Sequence, residues 1–147
     1  MTDSDPKKAK RLVSFRKLQR ERASMEVVTA RAAVHRAENA VKDQEQLIEK
    51  EAEDACPSRG ECVRPEDLVL ALACVEAARS DLNQKKSNLA AAEKQLGVKA
   101  GVLLAAHKKV RQMEALATAA ETAHKQQAKS KETKEIDDLA VNREARK

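Results

Sequence analysis

An apolar residue recurs at every seventh position through the second half of this chain, beginning at Leu68. A second set of mostly small residues follows three positions after each, and only Lys85 and Lys99 in it are polar. The two sets are Leu68, Val75, Leu82, Leu89, Leu96, Leu103, Val110 and Ala117, and Ala71, Ala78, Lys85, Ala92, Lys99, Ala106, Met113 and Ala120. This spacing is typical of a coiled-coil helix, in which both sets form one seam against a partner helix. We expect a long helix without a catalytic cavity, acting through contacts with other proteins.

A shorter repeat of the same kind precedes the first one. Val27, Val34, Val41 and Ile48 alternate with Ala23, Ala30, Ala37 and Gln44. Between the two repeats, Pro57 cannot continue a helix, whereas Pro65 followed by Glu66 and Asp67 suits the first turn of the next one. The sequence therefore predicts an all-α fold, a long antiparallel two-helix coiled-coil hairpin with a longer second helix. Residues 1–147 form one domain in this prediction, with helix one at about 8–54, the turn at about 55–64, helix two at about 65–140, and frayed ends.

Composition disfavours an ordinary globular enzyme. Alanine accounts for 27 of the 147 residues, 36% are charged, and Phe15 is the single aromatic residue. There is no glycine-rich phosphate loop and no Ser/His/Asp set, and the three histidines are isolated, so we expect no enzyme activity, no cofactor and no metal. Cys56, Cys62 and Cys74 are expected to be reduced thiols, although Cys56 and Cys62 could pair in an oxidising compartment. No apolar run is long enough to span a bilayer or to act as a signal peptide, which predicts a soluble, unsecreted protein.

Charge is distributed unevenly along the chain. Residues 1–22 carry a net charge of +5 and residues 23–93 a net charge of −5, and the remainder is basic again. Such segments can simply solvate a helix, or they can select partners. The basic N-terminal segment feeding a coiled coil also leaves nucleic-acid binding open as an alternative, through Lys7, Lys8, Lys10, Arg11, Arg16, Lys17, Arg20 and Arg22. A generic coiled-coil scaffold or chaperone is the other alternative.

Four large apolar residues near the start of helix one fall outside its extrapolated seam. They are Leu12, Phe15, Leu18 and Met25. Either the heptad register shifts in this region, or these side chains form an exposed stripe that contacts a partner. The single aromatic residue, Phe15, favours the contact, because it lies among arginines and lysines.

The C-terminal segment carries the most specific pattern in the chain. A basic and apolar stretch, AHKKVRQMEALATAAETAH, is followed by KETKEIDDLAVNR, and the opening RLVSFRKLQRERA is a weaker match. Together with the predicted hairpin, these segments resemble the FliJ family of flagellar export proteins, the central stalks of type III secretion ATPases. The family's charged C-terminal pattern is matched by Lys134, Glu135, Asp137, Asp138, Ala140 and Arg143.

The resemblance implies a non-enzymatic stalk, flagellar or injectisome, located in the cytoplasm and peripherally at the cytoplasmic face of the inner membrane. It would insert into the hexameric export ATPase and promote its assembly and activity. The implied ATPase-binding residues are Phe15, Leu18, Lys134, Glu135, Asp137, Asp138, Leu139 and Arg143. The start of helix two would bind the membrane export gate protein through Leu68, Leu72, Val75 and Arg79, although Leu68 and Val75 also belong to the predicted seam. Export chaperones are the third implied partner, and nucleic acid and membrane insertion are not implied.

Overall fold

The computed structural model describes residues 6–55 and 64–145, and these residues form two helices and no strand. Helix α1 spans Pro6–Ala55 and helix α2 spans Pro65–Glu144. The predicted all-α hairpin with a longer second helix is confirmed, and each helix extends a few residues beyond its predicted bounds. Pro57, Cys56 and Cys62, which belong to the predicted turn, lie outside the described residues.

The start of α2 follows from the residues at positions 64–67. Pro65 occupies the first helical position, where its missing N–H costs no hydrogen bond. Glu66 and Asp67 place negative charge in the first turn, which the helix dipole favours. The carbonyl of Arg64 accepts hydrogen bonds from the backbone N–H groups of Asp67 and Leu68, at 3.1 and 3.2 Å. Arg64 is therefore the N-cap residue, which directly precedes the first helical residue, Pro65.

The chain divides into two compact units, each made of one segment of α1 and one segment of α2. One unit is Ser24–Val102, and the other combines Met1–Ala23 with Leu103–Lys147. In the first unit, Glu45 pairs with Lys86 at 3.3 Å and Glu26 pairs with Lys99 at 2.6 Å. The α1 partner with the higher number, Glu45, pairs with the α2 partner that has the lower number, Lys86. The two segments therefore pack antiparallel.

Burial in the Ser24–Val102 unit follows the predicted heptads. Val27, Val41, Val75 and Ala78 are at most 8% exposed, and the remaining predicted seam positions are half-buried or, at Gln44, buried. Leu68 is the exception, because 43% of its surface is exposed although it opens the predicted seam. The interface consequently begins at Ala71 on α2 and has no large fully buried side chain among the described residues.

The second unit also keeps the heptad register without a shift. Ala23 and Val110 are buried, and the seven-residue spacing continues upstream through half-buried residues at Pro6, Ala9, Val13, Arg16 and Arg20. The same unit contains the pairs Lys17–Glu114 at 2.9 Å and Lys10–Glu121 at 3.8 Å. Since the register is continuous, the off-seam residues Leu12, Phe15 and Leu18 form an exposed stripe instead of a stutter, and Met25 in the other unit is 71% exposed.

Candidate partner-binding surfaces

The outer side of α1 near its N-terminus carries apolar and basic side chains together. Phe15 is 53% exposed and Leu18 is 46% exposed, and Arg11 and Arg22 are exposed on the same side, one helical turn beyond each. At 100° per residue, all four point away from the seam that faces α2. Among the described residues, neither arginine forms an ion pair. We name Arg11, Phe15, Leu18 and Arg22 the basic stripe.

Lys10, Arg16 and Lys17 of the same segment form contacts within the protein. Lys17 donates a hydrogen bond to Glu114, and the Arg16 guanidinium donates to the Gln19 side-chain oxygen at 2.8 Å. The Lys17 hydrogen bond and charge hold the pKa of the Glu114 carboxyl below its ordinary value, with Arg20 and Arg111 adding to the effect. The basic N-terminal segment is therefore divided between cations that hold α2 and cations that face outward.

The C-terminal part of α2 has no helix packed against it within its unit. Every described residue from Thr122 to Ala145 is exposed, including the sequence-predicted Lys134, Glu135, Asp137, Asp138, Leu139 and Arg143. Leu139 is 69% exposed, and Ile136 and Val141 are exposed to a similar degree. These last two were not among the predicted site residues, although they are the only other branched apolar residues in an otherwise polar segment. Ile136, Leu139 and Val141 are available to a partner.

The structure does not bring the two groups of predicted ATPase-binding residues together. Lys17 pairs with Glu114, which places Phe15 and Leu18 beside this part of α2. Lys134 lies about twenty residues further along the helix, roughly 30 Å at 1.5 Å per residue. One partner molecule would have to span that distance, or two different subunits would contact the two groups.

The start of α2 exposes an apolar surface with carboxylates around it. Val69 and Leu70 are 67% and 66% exposed and lie on the side opposite the seam with Ala73. Glu66 and Glu76 lie on the same side, one before and one after the apolar residues, and are exposed without an ion pair among the described residues. We name Glu66, Val69, Leu70, Ala73 and Glu76 the acidic patch. Sequence reasoning overlooked Val69 and Leu70, although their off-seam heptad positions mark them as exposed.

The four residues predicted to bind an export gate have different environments. Leu72 is 54% exposed, Leu68 is 43% exposed and Arg79 is exposed, so a partner can reach all three. Val75 is only 8% exposed, because it packs in the seam against α1. Val75 is therefore a residue of the helix–helix seam. A partner would contact it only if the two helices separated.

The described residues contain no cluster of metal-ligating side chains. An open groove of about 260 Å³ in the Ser24–Val102 unit is lined by Glu26, Thr29, Ala30, Ala33, Gln95 and Lys99. Its two charged residues neutralise each other at 2.6 Å. Within residues 6–55 and 64–145, no His, Cys, Asp and Glu side chains cluster as metal ligands, and Cys74 is an exposed free thiol. Neither described helix has an apolar stretch long enough to cross a membrane.

Comparison of the chain with models of known protein families, with curated proteins and with solved structures found no match.

Proposed function

We propose that this chain is the central stalk of a type III protein export apparatus, flagellar or injectisome. It would insert into the hexameric export ATPase without hydrolysing ATP itself, and would promote assembly and activity of the ring. The observation that carries the proposal is the combination of an exposed basic stripe on α1 with a bare C-terminal extension of α2. Both features belong to the same unit, and both present side chains that the hairpin itself leaves without a partner.

The first supporting feature is the exposure of Phe15 and Leu18. Burying a large apolar side chain contributes roughly 1.5 to 3 kcal/mol, and half of each surface is still open to water here. Arg11 and Arg22 lie beside them and would pair with carboxylates on a partner. A ring subunit with an acidic, apolar inner surface has the chemistry to bind this stripe.

The second supporting feature is the helical segment after Glu121. Its residues are all exposed and pack against no other helix, so its helix depends on the helix propensity of its residues. Docking within a pore would bury Ile136 and Leu139 and would pair Lys134, Asp138 and Arg143 with ring residues. Binding in the pore would therefore add the tertiary packing that this segment lacks within the chain.

A stalk of this kind would act by differential binding. If the ring has two conformations and the stalk contacts one more favourably, the population shifts by the difference in binding free energy. No catalytic group on the stalk is required for it to raise the rate of hydrolysis. The exposed start of α2 would be the region that contacts the membrane export gate, and export chaperones would be further partners. These partners imply a cytoplasmic protein held peripherally at the inner membrane.

The direct test is the ATPase rate of the purified export ATPase, measured with and without this chain. We expect stimulation by the wild-type protein and its loss in a Phe15→Asp, Leu18→Asp double variant. A chain ending after residue 130 should also lose stimulation, because it lacks the whole segment from Lys134 to Arg143. The matched control is the Val98→Asp, Val102→Asp double variant, which places the same two charges at apolar positions of the other unit that are 61% and 51% exposed.

Circular dichroism must first show that each variant keeps its two packed helices. Stimulation that is unchanged in both the double variant and the shortened chain would contradict the proposed contacts. Absence of any effect of the wild-type chain on the ATPase would favour the generic scaffold.

Nucleic-acid binding by the basic N-terminal segment is tested in parallel. Lys17 and Lys10 pair with Glu114 and Glu121 at the surface, so these two ion pairs would have to open for either lysine to contact a phosphate. A nucleic-acid-binding protein would shift duplex DNA at physiological ionic strength, with an affinity that falls steeply as salt rises. We expect no such shift.

A further inference from the structure

The acidic patch and the basic stripe have matching dimensions. In the basic stripe, Phe15 and Leu18 lie between Arg11 and Arg22, which are eleven residues apart along α1. In the acidic patch, Val69 and Leu70 lie between Glu66 and Glu76, which are ten residues apart along α2. At 1.5 Å per residue, both pairs of charges are roughly 15 Å apart. Each surface thus has an apolar centre between two charges of the same sign. The charges are positive on the basic stripe and negative on the acidic patch, and their spacing is similar.

The segments around the two surfaces strengthen this complementarity. Between Lys8 and Arg22, seven of the eight charged residues of α1 are basic, and Glu21 is the single acid. Between Glu66 and Asp81, four of the five charged residues of α2 are acidic, and Arg79 is the single base.

We propose that the basic stripe of one copy of this chain binds the acidic patch of a second copy. Packing of the two helical faces would bury Phe15 and Leu18 against Val69, Leu70 and Ala73. The arginines at 11 and 22 would meet the carboxylates at 66 and 76 across the interface. Opposite charges steer the encounter and select the register, and the apolar centre supplies most of the affinity.

This pairing is heterologous, because the two contacting surfaces are different. Each copy that binds through its stripe still has a free patch, and each that binds through its patch still has a free stripe. The assembly therefore grows with protein concentration, either as an open chain of copies or until it closes into a ring. The contact is small, so we expect dissociation constants in the micromolar range or weaker.

The inference is independent of the proposed function, because it requires only this chain. It has one consequence for that function. Phe15 and Leu18 would be covered in the self-associated protein, so a second copy and an ATPase subunit would compete for the same side chains. Self-association would then hold the free protein in a form that cannot enter the ring.

The test is sedimentation velocity of the full chain over a concentration series at 0.1 M salt and again at 0.5 M salt. We expect the average sedimentation coefficient to rise with concentration at low salt, and to rise much less at high salt, where the charges are screened. Phe15→Asp disables the stripe by placing a carboxylate opposite the patch. Leu70→Lys disables the patch by placing an ammonium opposite the stripe. Each variant alone should sediment as a monomer at every concentration.

Mixing the two variants gives the decisive result. The intact patch of the Phe15→Asp chain can bind the intact stripe of the Leu70→Lys chain, and both remaining surfaces are disabled. The mixture should therefore form a one-to-one dimer and nothing larger. Val98→Asp and Val98→Lys introduce the same charges at an exposed valine outside both surfaces, and should associate as the wild type does.

Several outcomes would overturn the inference. A wild-type chain that stays monomeric up to about millimolar concentration shows that the surfaces do not bind each other. Association that survives in either single variant, or that is lost in the Val98 controls, assigns the contact to another surface. A mixture that remains monomeric shows that the stripe and the patch are not partners. Circular dichroism of each variant distinguishes these results from loss of folding.

Discussion

The Lys85 ammonium donates a hydrogen bond of 2.7 Å to the side-chain oxygen of Gln44, so a polar residue of one heptad repeat meets a polar residue of the other. The Gln44 amide nitrogen in turn donates to the Ala78 carbonyl at 3.1 Å, and Gln44 is only 5% exposed. A polar pair in an apolar seam is satisfied in one alignment of the two helices and unsatisfied in most others. It therefore selects that alignment.

We predict that Gln44→Leu destabilises the hairpin, because Lys85 then faces an apolar side chain without its acceptor. The expected loss in the free energy of unfolding is about 1 to 3 kcal/mol. The Gln44→Leu, Lys85→Leu double variant should recover this loss or exceed the wild-type stability, since an apolar pair replaces the polar one. Urea denaturation of the wild type and the two variants measures the effect. A double variant less stable than Gln44→Leu would contradict the prediction.

A second prediction concerns two valines of α2 in opposite environments. Val110 is 3% exposed, and Val98 is 61% exposed. Val110→Asp buries a carboxylate without a partner and should cost about 2 to 4 kcal/mol in stability. Val98→Asp should change stability by no more than about 0.5 kcal/mol. Thermal melts followed by circular dichroism compare the two, and equal melting temperatures would show that the assigned seam is wrong.

The third prediction uses the Lys17–Glu114 pair at 2.9 Å. Lys17 holds the pKa of Glu114 below its ordinary value, first by a hydrogen bond and then by its charge. A lowered carboxyl pKa contributes stability that is present above the ordinary pKa and is lost as pH falls through the lowered one. Lys17→Met should raise the pKa of Glu114 toward its ordinary value. The variant should then lose less unfolding free energy than the wild type as the pH falls.

Carboxyl carbon shifts in an NMR titration report the Glu114 pKa directly. Lys94→Met removes an exposed cation from the other unit and should leave the Glu114 titration where it is in the wild type. A Glu114 pKa that does not change in Lys17→Met would mean that the pair is not formed in solution.

The fourth prediction concerns Gly97 and Gly101, both helical and exposed on α2. A Cβ atom built on either glycine meets nothing within 4 Å, so no close approach within the chain requires glycine. Alanine costs less backbone entropy to hold in a helix, and each glycine-to-alanine change should add about 0.5 to 1 kcal/mol of stability. Urea denaturation checks the gain, and a loss of stability would reveal a contact that the two helices do not show.

Seven-residue spacing was sufficient to predict which side of each helix is buried. Val27, Val41, Val75 and Val110 all lie in the seam as their positions indicated, and Val69 and Leu70 lie outside it. The helix start at Pro65 was also predictable, because proline and two acids mark a first turn. Leu68 was predicted to pack against α1, but 43% of its surface is exposed. The buried side of α2 begins one turn later, at Ala71.

The candidate surfaces were only partly predictable. Phe15 and Leu18 were recognised as off-seam residues, but a shifted register would have buried them. Val13, Arg16 and Arg20 are half-buried at the positions that an unshifted heptad register gives them. This burial favours the exposed stripe over a shifted register. The separation between Phe15 and Lys134 could not be predicted from either segment alone, because it depends on which residue of α2 lies beside Lys17.

By itself, the order of residues determined two amphipathic helices, the side on which each is buried and the point at which the second begins. These are local properties, set by heptad spacing and by the chemistry of a first helical turn. Only the tertiary structure decided the offset of one helix along the other. That offset gives Lys85 its acceptor in Gln44, gives Lys99 its carboxylate in Glu26, and leaves α2 bare after Glu121. A seven-residue repeat looks the same in every heptad, so it specifies which face of a helix is buried but not how far one helix is shifted along the other. The few polar pairs across the seam select that alignment.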